Sequence, residues 1–242
     1  MPGKEDSTDF VYRRFTVIHE DNHVLVVIKP QGLLCQGDEH SDENLLDQLK
    51  EYIQKTRNKP GNVYLGLVHR LDRNTGGLMV FAKTSKAAAR LSEQFRKHTV
   101  KKTYLAAIES PIQPAQGSMT DYIKKNSQMK KAIVVKPDDK ESKTAKHAEL
   151  IYKTVGKKQQ STQKPPLIIV EVELLTGRFH QIRAQFASRN RPLAGDVKYG
   201  STLRLGGPAL WAYSLTFIHP TKGQSLSFFA ETPVNWPFGF RR

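Results

Sequence analysis

A lone carboxylate, Asp72, stands between basic side chains and a turn of small residues. Residues 69–77 read HRLDRNTGG, and residues 78–82 read LMVFA. An apolar run of this length predicts a buried strand, so Asp72 would lie on a loop that the strand holds in place. A carboxylate so placed can act as a nucleophile or as a base. Taken alone, an Arg-x-Asp sequence is better explained as a surface salt bridge beside a turn.

Two further segments combine basic and aromatic side chains in short patterns. Residues 101–106 read KKTYLA, and residues 177–183 read GRFHQIR. Tyr104 falls inside a predicted strand, where a tyrosine is ordinarily a buried sheet residue. Arg183 falls in a predicted helix at residues 179–189, beside the apolar face rather than within it. Taken singly, Arg183 would be an ordinary exposed arginine.

The chain is strongly basic for its length. Its 242 residues include 38 Lys and Arg against 23 Asp and Glu, which gives a formal net charge of +15. This excess is more than solubility needs, and it favours a polyanionic partner such as RNA or DNA. A membrane surface is another polyanion, but no basic amphipathic helix with an aromatic face is present to favour it.

Cysteine content and the N-terminal residues favour a reducing compartment. Cys35 is the only cysteine, which excludes an intrachain disulfide and a cysteine-rich metal site. Residues 1–9 are polar and mixed in charge, unlike a signal peptide, and no apolar run reaches the length of about eighteen residues that crosses a membrane. We therefore expect a cytoplasmic protein with no membrane partner.

Predicted strands outnumber predicted helices and do not alternate with them regularly. Helices are expected from Glu43, with Asp42 as the cap, after Thr84 or Ser85, and at residues 179–189. The predicted strands are residues 15–18, 24–28, 78–82, 103–108, 167–174, 210–217 and 225–229. This pattern favours an α+β fold with a mixed, largely antiparallel sheet.

Composition organises the rest of the chain. Residues 1–14 are expected to form a flexible tail, and residues 15–242 a single domain. The polar run at residues 54–62 is predicted to be a loop. Residues 124–147 are rich in lysine, and the second basic stretch, residues 153–164, has the composition of a mobile hairpin tip or loop.

Taken together, these segments resemble the RluA-type pseudouridine synthases. That family carries His-Arg-Leu-Asp, two variable positions and Thr-Ser-Gly, with later blocks similar to Lys-Lys-x-Tyr and Gly-Arg-x-His-Gln-Ile-Arg. The likeness extends from about Phe15 to Phe229, with the blocks in order. It implies the pseudouridine synthase fold, in which helices flank a central bent sheet and an active-site cleft crosses one face. No separate RNA-binding module is expected before residue 15, unlike in some family members.

The resemblance also implies a reaction and a partner. Pseudouridine formation breaks the N1–C1′ bond of uridine, rotates the uracil and rejoins it through C5, without a cofactor or a metal. The sequence fits that expectation, because it has no phosphate-binding glycine motif and no metal-ligand spacing. We expect a monomer that acts on ribosomal or transfer RNA.

By resemblance, three residues carry the chemistry. Asp72 is the catalytic carboxylate, and it would attack C1′, attack C6 or assist deprotonation at C2′. Arg183 is the cation that favours its charged form, and Tyr104 packs against the target base, where it could help to remove the C5 proton. Arg70 fills the space that the base vacates when it leaves its stack. The remaining predicted RNA contacts are His69, Arg178, His180, Lys101, Lys102, Lys130 and Lys131.

The sequence departs from the family pattern at three positions. Gly76 replaces a serine, Phe179 a threonine and Trp211 a histidine. None of the three is expected to touch the catalytic set. These departures bear on the choice of substrate more than on the class of reaction.

Two other functions compete with catalysis by this family. A non-catalytic RNA-binding or ribosome-assembly factor on the same fold would carry the same charge, but it would not need Asp72, Tyr104 and Arg183 together. A hydrolase that used Asp72 with His69 or His180 is disfavoured, because no second carboxylate is expected near these motifs.

Overall fold

The computed structural model describes residues 15–37, 43–58, 61–136, 143–159 and 166–238. These residues form an eleven-stranded sheet and three α-helices. The helices are α1 (Leu45–Thr56), α2 (Ser85–Arg96) and α3 (Gln181–Ala187). The strands are β1 (Thr16–Glu20), β2 (Val24–Lys29), β3 (Gly66–Leu67), β4 (Gly76–Ala82), β5 (Lys101–Ile108), β6 (Gln116–Asn126), β7 (Lys131–Val135), β8 (Lys146–Lys158), β9 (Leu167–Leu174), β10 (Leu210–Ile218) and β11 (Ser225–Phe229).

The sheet is mixed and largely antiparallel, as predicted. Its strand order is β1-β2-β4-β10-β5-β9-β8-β6-β7, with β11 paired to β10 and β3 paired to β4. Within the described ranges, β4 and β10 are the one parallel pair. With few helices and no regular alternation of helix and strand, the α+β prediction is confirmed.

Helices cover both faces of the sheet. The buried side chains of α1 and α3, such as Leu49 and Phe186, belong to the core on one face. Those of α2, Ala87 and Leu91, belong to the core on the other face. A central strand between two cores is apolar throughout, and all seven residues of β4 are buried.

The start of α1 differs from the prediction. The helix begins at Leu45, and its cap is Asn44, whose side chain accepts from the backbone N–H of Asp47 at 3.1 Å. The predicted cap, Asp42, lies outside the described residues. Tertiary contact selects this start, because the backbone N–H of Leu45 donates to the carbonyl of Leu34 at 2.8 Å.

Two further boundaries differ from the prediction. The helix α1 continues to Thr56, so the loop expected over residues 54–62 begins later. The basic stretch from residue 153, expected to be a hairpin tip or a loop, is part of β8 as far as Lys158 and pairs with β9 in an antiparallel hairpin. Pairing with β9 makes this segment a strand although none of residues 153–158 is buried, so composition alone conceals it.

The helix α3 is shorter than predicted and more deeply buried. It spans Gln181–Ala187, and Arg183 is 8% exposed rather than at the surface. The predicted tail at residues 1–14 lies outside the described residues. In the part of the chain that the structure describes, no helix is both long enough and apolar enough to span a membrane.

Candidate active site

Asp72 lies in a cleft of about 1300 Å³. It precedes β4 in a turn closed by the backbone N–H of Thr75, which donates to the carbonyl of Asp72 at 3.0 Å. The Asp72 side chain is 27% exposed, so it is partly held by the protein and partly open to the cleft. The prediction that a rigid strand follows this carboxylate is confirmed, since β4 is a buried central strand.

A glycine fixes how close β10 comes to the Asp72 turn. Gly77 has a φ of 113°, and a β-carbon there would lie 2.6 Å from the backbone N of Ala212 on β10. Only glycine permits this backbone conformation and this approach without strain. The Asp72 turn is therefore anchored to the middle of the sheet.

Arg183 joins two carboxylates. Its Nη1 donates to Oδ2 of Asp72 at 3.1 Å, and its Nε and Nη2 donate to the two carboxylate oxygens of Asp196 at 2.7 and 2.9 Å. Burial disfavours the guanidinium charge, but the hydrogen bonds and charges of Asp196 and Asp72 outweigh burial and raise the pKa of Arg183. The guanidinium is thus a fixed cation that faces Asp72.

The sequence reasoning missed Asp196. It is a second carboxylate near the motifs, so the expectation that none would be present was wrong. Asp196 lines the cleft, but its side chain is 1% exposed and both of its oxygens bind Arg183, so it is not free to act as a second acid or base. The sequence shows Asp196 only as a polar residue that follows Gly195 on a loop. Its position beside Arg183 depends on the fold.

His180 is the third group at Asp72. Its backbone is left-handed, with a φ of 50°, and its Nε2 lies 3.5 Å from Oδ2 of Asp72. Its Nδ1 lies 3.0 Å from the hydroxyl of Tyr199. Burial is the main cause that lowers the pKa of His180, to about 4, so the ring is neutral near pH 7. A proton on Nε2 would let this ring donate toward Asp72, and the Tyr199 hydroxyl would then donate to Nδ1 of His180 in place of the carbonyl of Ala132.

Tyr199 connects this group to the β6–β7 hairpin. Its hydroxyl accepts from the backbone N–H of Ala132 at 2.7 Å and lies 3.2 Å from the carbonyl of the same residue. The guanidinium of Arg183 lies 4.9 Å from the centre of the ring, and Nζ of Lys131 lies 4.6 Å from it. Burial raises the pKa of Tyr199 to about 12. This role of Tyr199 was not predicted from the sequence.

Tyr104 lines the same cleft from β5. It pairs with Ala212, the residue that also pairs with Gly77, so Tyr104 lies two strands from the start of β4. Burial, and then the charge of Asp72, raise the pKa of Tyr104. The phenol is therefore neutral, and it borders the carboxylate that the resemblance pairs with it.

His69 supports the Asp72 loop. Its Nε2 accepts from the backbone N–H of Val80 at 3.0 Å, and its ring stacks on Phe95 with the centroids 4.5 Å apart. Burial lowers the pKa of His69 to about 3, with a further contribution from the charge of Lys102. This placement favours a structural role, and because His69 also lines the cleft, its RNA contact stays a prediction.

The other predicted RNA contacts divide into two groups. Arg70, Arg178, Lys102 and Lys130 line the cleft. Lys101 is exposed on the side of β5 that faces away from Tyr104. Lys131 does not line the cleft, and its ammonium lies over Tyr199 instead. The structure thus brings four of the predicted cations to the space beside Asp72.

Phe179 is linked to Asp72 through His180. Its ring stacks on His180 with the centroids 3.8 Å apart, and His180 borders Asp72. Phe179 was expected not to touch the catalytic set, and it contacts His180, which in turn borders Asp72.

Across the residues that the structure describes, no cluster of His, Cys, Asp and Glu has the arrangement of a metal site.

Comparisons with known proteins identify the family of this chain. A family model for RNA pseudouridylate synthase matches residues 23–188. The uncharacterized RNA pseudouridine synthase YhcT of Bacillus subtilis is 33% identical over 225 residues, which cover 93% of this chain and 70% of that protein. Ribosomal large subunit pseudouridine synthase D of Zymomonas mobilis is 30% identical over 238 residues, which cover 93% of this chain and 71% of that protein.

Solved structures show the same fold. Human RNA pseudouridylate synthase domain containing 1 superposes with a TM-score of 0.74 at 21% identity, over 96% of this chain and 86% of that one. Human RNA pseudouridylate synthase domain containing 4 superposes with a TM-score of 0.70 at 23% identity, over 90% of this chain and 89% of that one. By its sequence matches and its fold, this chain belongs to the RluA-type family of RNA pseudouridine synthases, enzymes that isomerise uridine to pseudouridine in RNA.

Proposed function

We propose that this enzyme modifies one or a few defined uridines in a structured RNA, and that Asp72 acts on the target nucleotide. The observation that carries the proposal is the pairing of Asp72 with Arg183 at 3.1 Å, while the carboxylate stays 27% exposed to the cleft. A carboxylate held by a buried cation on one side and open on the other is suited to react with a bound nucleotide.

Other residues of the cleft are assigned roles around Asp72. Tyr104 packs against the target uracil, and Arg70, which is exposed at the cleft, holds open the stack that the base has left. Arg178 and Lys130 bind backbone phosphates and fix the register of the RNA. His69 holds the Asp72 loop in place, and Lys101 makes no contact in the cleft.

Ribosomal RNA is the first candidate substrate. Support comes from the Zymomonas mobilis relative, whose name assigns it to the large ribosomal subunit. Transfer RNA is the alternative. The cytoplasm, a monomeric state and a single catalytic domain over residues 15–242 stay predictions from the sequence.

A non-catalytic RNA-binding or ribosome-assembly factor is the competing proposal. Such a protein would need the basic cleft but would gain nothing from the buried pair of Arg183 and Asp196 behind Asp72. Burying charges is costly even when they are paired. The arrangement therefore favours catalysis over binding alone.

The test is a map of pseudouridine in total RNA from cells with and without the gene. We expect the signal to vanish at one or a few uridines of ribosomal RNA, and to return when purified protein is added to the unmodified RNA. Loss of signal in transfer RNA would reassign the substrate. Identical maps of both RNAs would refute the proposed targets.

A further inference from the structure

The Asp196 loop, residues 195–203, carries two groups that border the active site. Asp196 binds Arg183 through both carboxylate oxygens, and the hydroxyl of Tyr199 lies 3.0 Å from Nδ1 of His180. Arg183 and His180 in turn border the carboxylate that we propose reacts with the nucleotide. The position of this one loop therefore affects both of these side chains.

Hydrogen bonds within the loop converge on the hydroxyl of Ser201. This hydroxyl accepts from the backbone N–H of Gly195 at 2.9 Å and from that of Leu203 at 3.2 Å, so it joins the two ends of the loop. The backbone N–H of Ser201 donates to the carbonyl of Asp196 at 3.1 Å. Because Ser201 is 6% exposed, little water competes for these hydrogen bonds.

A carboxylate at the end of a central strand holds this hydroxyl. Glu109 directly follows β5, and its Oε1 accepts from the hydroxyl of Ser201, while its Oε2 accepts from that of Thr202 at 3.0 Å. Hydrogen bonds to an ionised acceptor are roughly twice as strong as neutral ones. The strand that places Tyr104 in the cleft thus also anchors the Asp196 loop.

We propose that Glu109 and Ser201 are positioning residues for the reaction and act through the Asp196 loop. The inference rests on the proposed function, because it takes Asp72 to act on the target nucleotide. Neither Glu109 nor Ser201 is among the residues that line the cleft, so their effect does not require contact with RNA. A misplacement of about 1 Å within a site can slow a reaction roughly a hundredfold. A hydrogen bond that fixes the loop can therefore matter to the rate.

The first measurement is amide hydrogen exchange of the free protein, for the wild type and Ser201→Ala. Alanine removes the acceptor of the N–H groups of Gly195 and Leu203. We expect these two amides to exchange at least about fivefold faster, with exchange in β9 unchanged. Equal exchange of the loop amides in the two proteins would overturn the inference, whichever RNA the enzyme modifies.

The second measurement is the single-turnover rate on the RNA that mapping identifies, with the affinity for that RNA measured alongside. Ser201→Ala should slow the reaction roughly tenfold and leave the affinity unchanged. Thr84→Ala is the matched control, since the Thr84 hydroxyl accepts from the backbone N–H of Ala87 at 3.1 Å on the opposite face of the sheet. It should lower the urea midpoint of unfolding by a similar amount without changing the rate. Equal losses of rate in Ser201→Ala and Thr84→Ala would overturn the inference.

Two further comparisons separate positioning from a general loss of structure. If Ser201 acts largely through Asp196, adding Ser201→Ala to Asp196→Asn should slow the reaction by less than about threefold more. Glu109→Gln keeps an acceptor oxygen for Ser201 and should retain the rate, whereas Glu109→Ala should resemble Ser201→Ala. Fully multiplied defects in the double variant, or equal rates for the two Glu109 variants, would overturn the inference.

These outcomes stay separate from the choice of RNA. If Ser201→Ala does not fold, Glu109→Ala and Glu109→Gln make the same comparison of exchange and rate. Failure of the wild type to modify the chosen RNA would count against the proposed target, while hydrogen exchange would still decide whether Ser201 fixes the Asp196 loop.

Discussion

The indole of Trp211 occupies the space that any side chain at position 76 would need. Gly76 and Trp211 pair on the parallel strands β4 and β10, and a β-carbon on Gly76 would lie 2.9 Å from Cε3 of the indole. The indole is buried, and its Nε1 donates to the carbonyl of Ala230 at 2.9 Å. The glycine that replaces serine and the tryptophan that replaces histidine are therefore one coupled change.

This coupling predicts the stability of three variants. Gly76→Ser should destabilise the protein by about 1–3 kcal/mol, because the new side chain overlaps the indole. Trp211→His should also destabilise, through lost packing. The double variant should be less destabilised than the sum of the two, since the smaller ring makes room for serine. Urea unfolding of all three measures the interaction, and additive losses would show that the two positions are independent.

Asp196 is predicted to be the anchor of Arg183. Asp196→Asn would leave the buried guanidinium short of a charge partner, a loss of about 3–5 kcal/mol for pairs of this kind. The single-turnover rate should fall as well, because Arg183 would no longer be fixed against Asp72. Urea unfolding and rate measurements on the same preparation check both effects.

Glu93 offers a control for the loss of an ion pair. It pairs with Lys97 on the surface of α2 at 3.1 Å, and an exposed pair contributes at most about 1 kcal/mol. Glu93→Gln should therefore change neither the stability nor the rate by much. Equal effects of Asp196→Asn and Glu93→Gln would contradict the anchoring role.

The loss of Arg183 and the loss of Arg70 are predicted to slow the reaction on different RNAs. Arg183 contacts Asp72 directly, so Arg183→Ala should slow the chemical step on any RNA. Arg70 is exposed at the cleft and acts on the flipped state, so Arg70→Ala should be most harmful where unstacking costs a few kcal/mol. Single-turnover rates on a structured RNA and on one with an unpaired target uridine separate them. The same ratio of defects on both RNAs would rule out this division of roles.

Tyr199 is predicted to position His180 through its hydroxyl. Tyr199→Phe keeps the ring beside Arg183 but removes the group that lies 3.0 Å from Nδ1 of His180. We expect the single-turnover rate to fall about fivefold, the effect of a neutral hydrogen bond worth about 1 kcal/mol, with RNA affinity unchanged. Tyr152→Phe is the control, since that hydroxyl donates to the carbonyl of Pro114 at 3.1 Å, away from Asp72. Equal rates for the two variants would show that the Tyr199 hydroxyl does not position His180 for the reaction.

Seven of the described strands are predicted from the sequence, because their apolar residues are buried on both faces or alternate with polar ones. The strands β3, β6, β7 and β8 were missed, the last three because they lie in polar, lysine-rich sequence. The strands β9 and β11 have the predicted bounds, and β4 starts two residues before the predicted run. The start of α1 was wrong because Asp42 and Asn44 are both good caps, and contact with Leu34 selects between them. Local sequence carries no information on such a contact.

The residues of the candidate site likewise include some that were predicted from the sequence and some that were missed. Asp72 and Arg183 were paired in advance by resemblance, and the structure places them 3.1 Å apart. Asp196 and Tyr199 were missed because their roles depend on a loop that folds back onto α3. The sequence of a loop predicts neither that its aspartate is buried nor that both carboxylate oxygens bind one arginine.

The most direct test of the account is the single-turnover conversion of uridine by Asp72→Asn on the RNA that mapping identifies. Asparagine keeps the shape of the side chain but can act neither as a nucleophile nor as a base. We expect no detectable pseudouridine, with RNA affinity equal to that of the wild type or tighter. Conversion at the wild-type rate, or a loss of affinity as large as the loss of rate, would contradict this expectation.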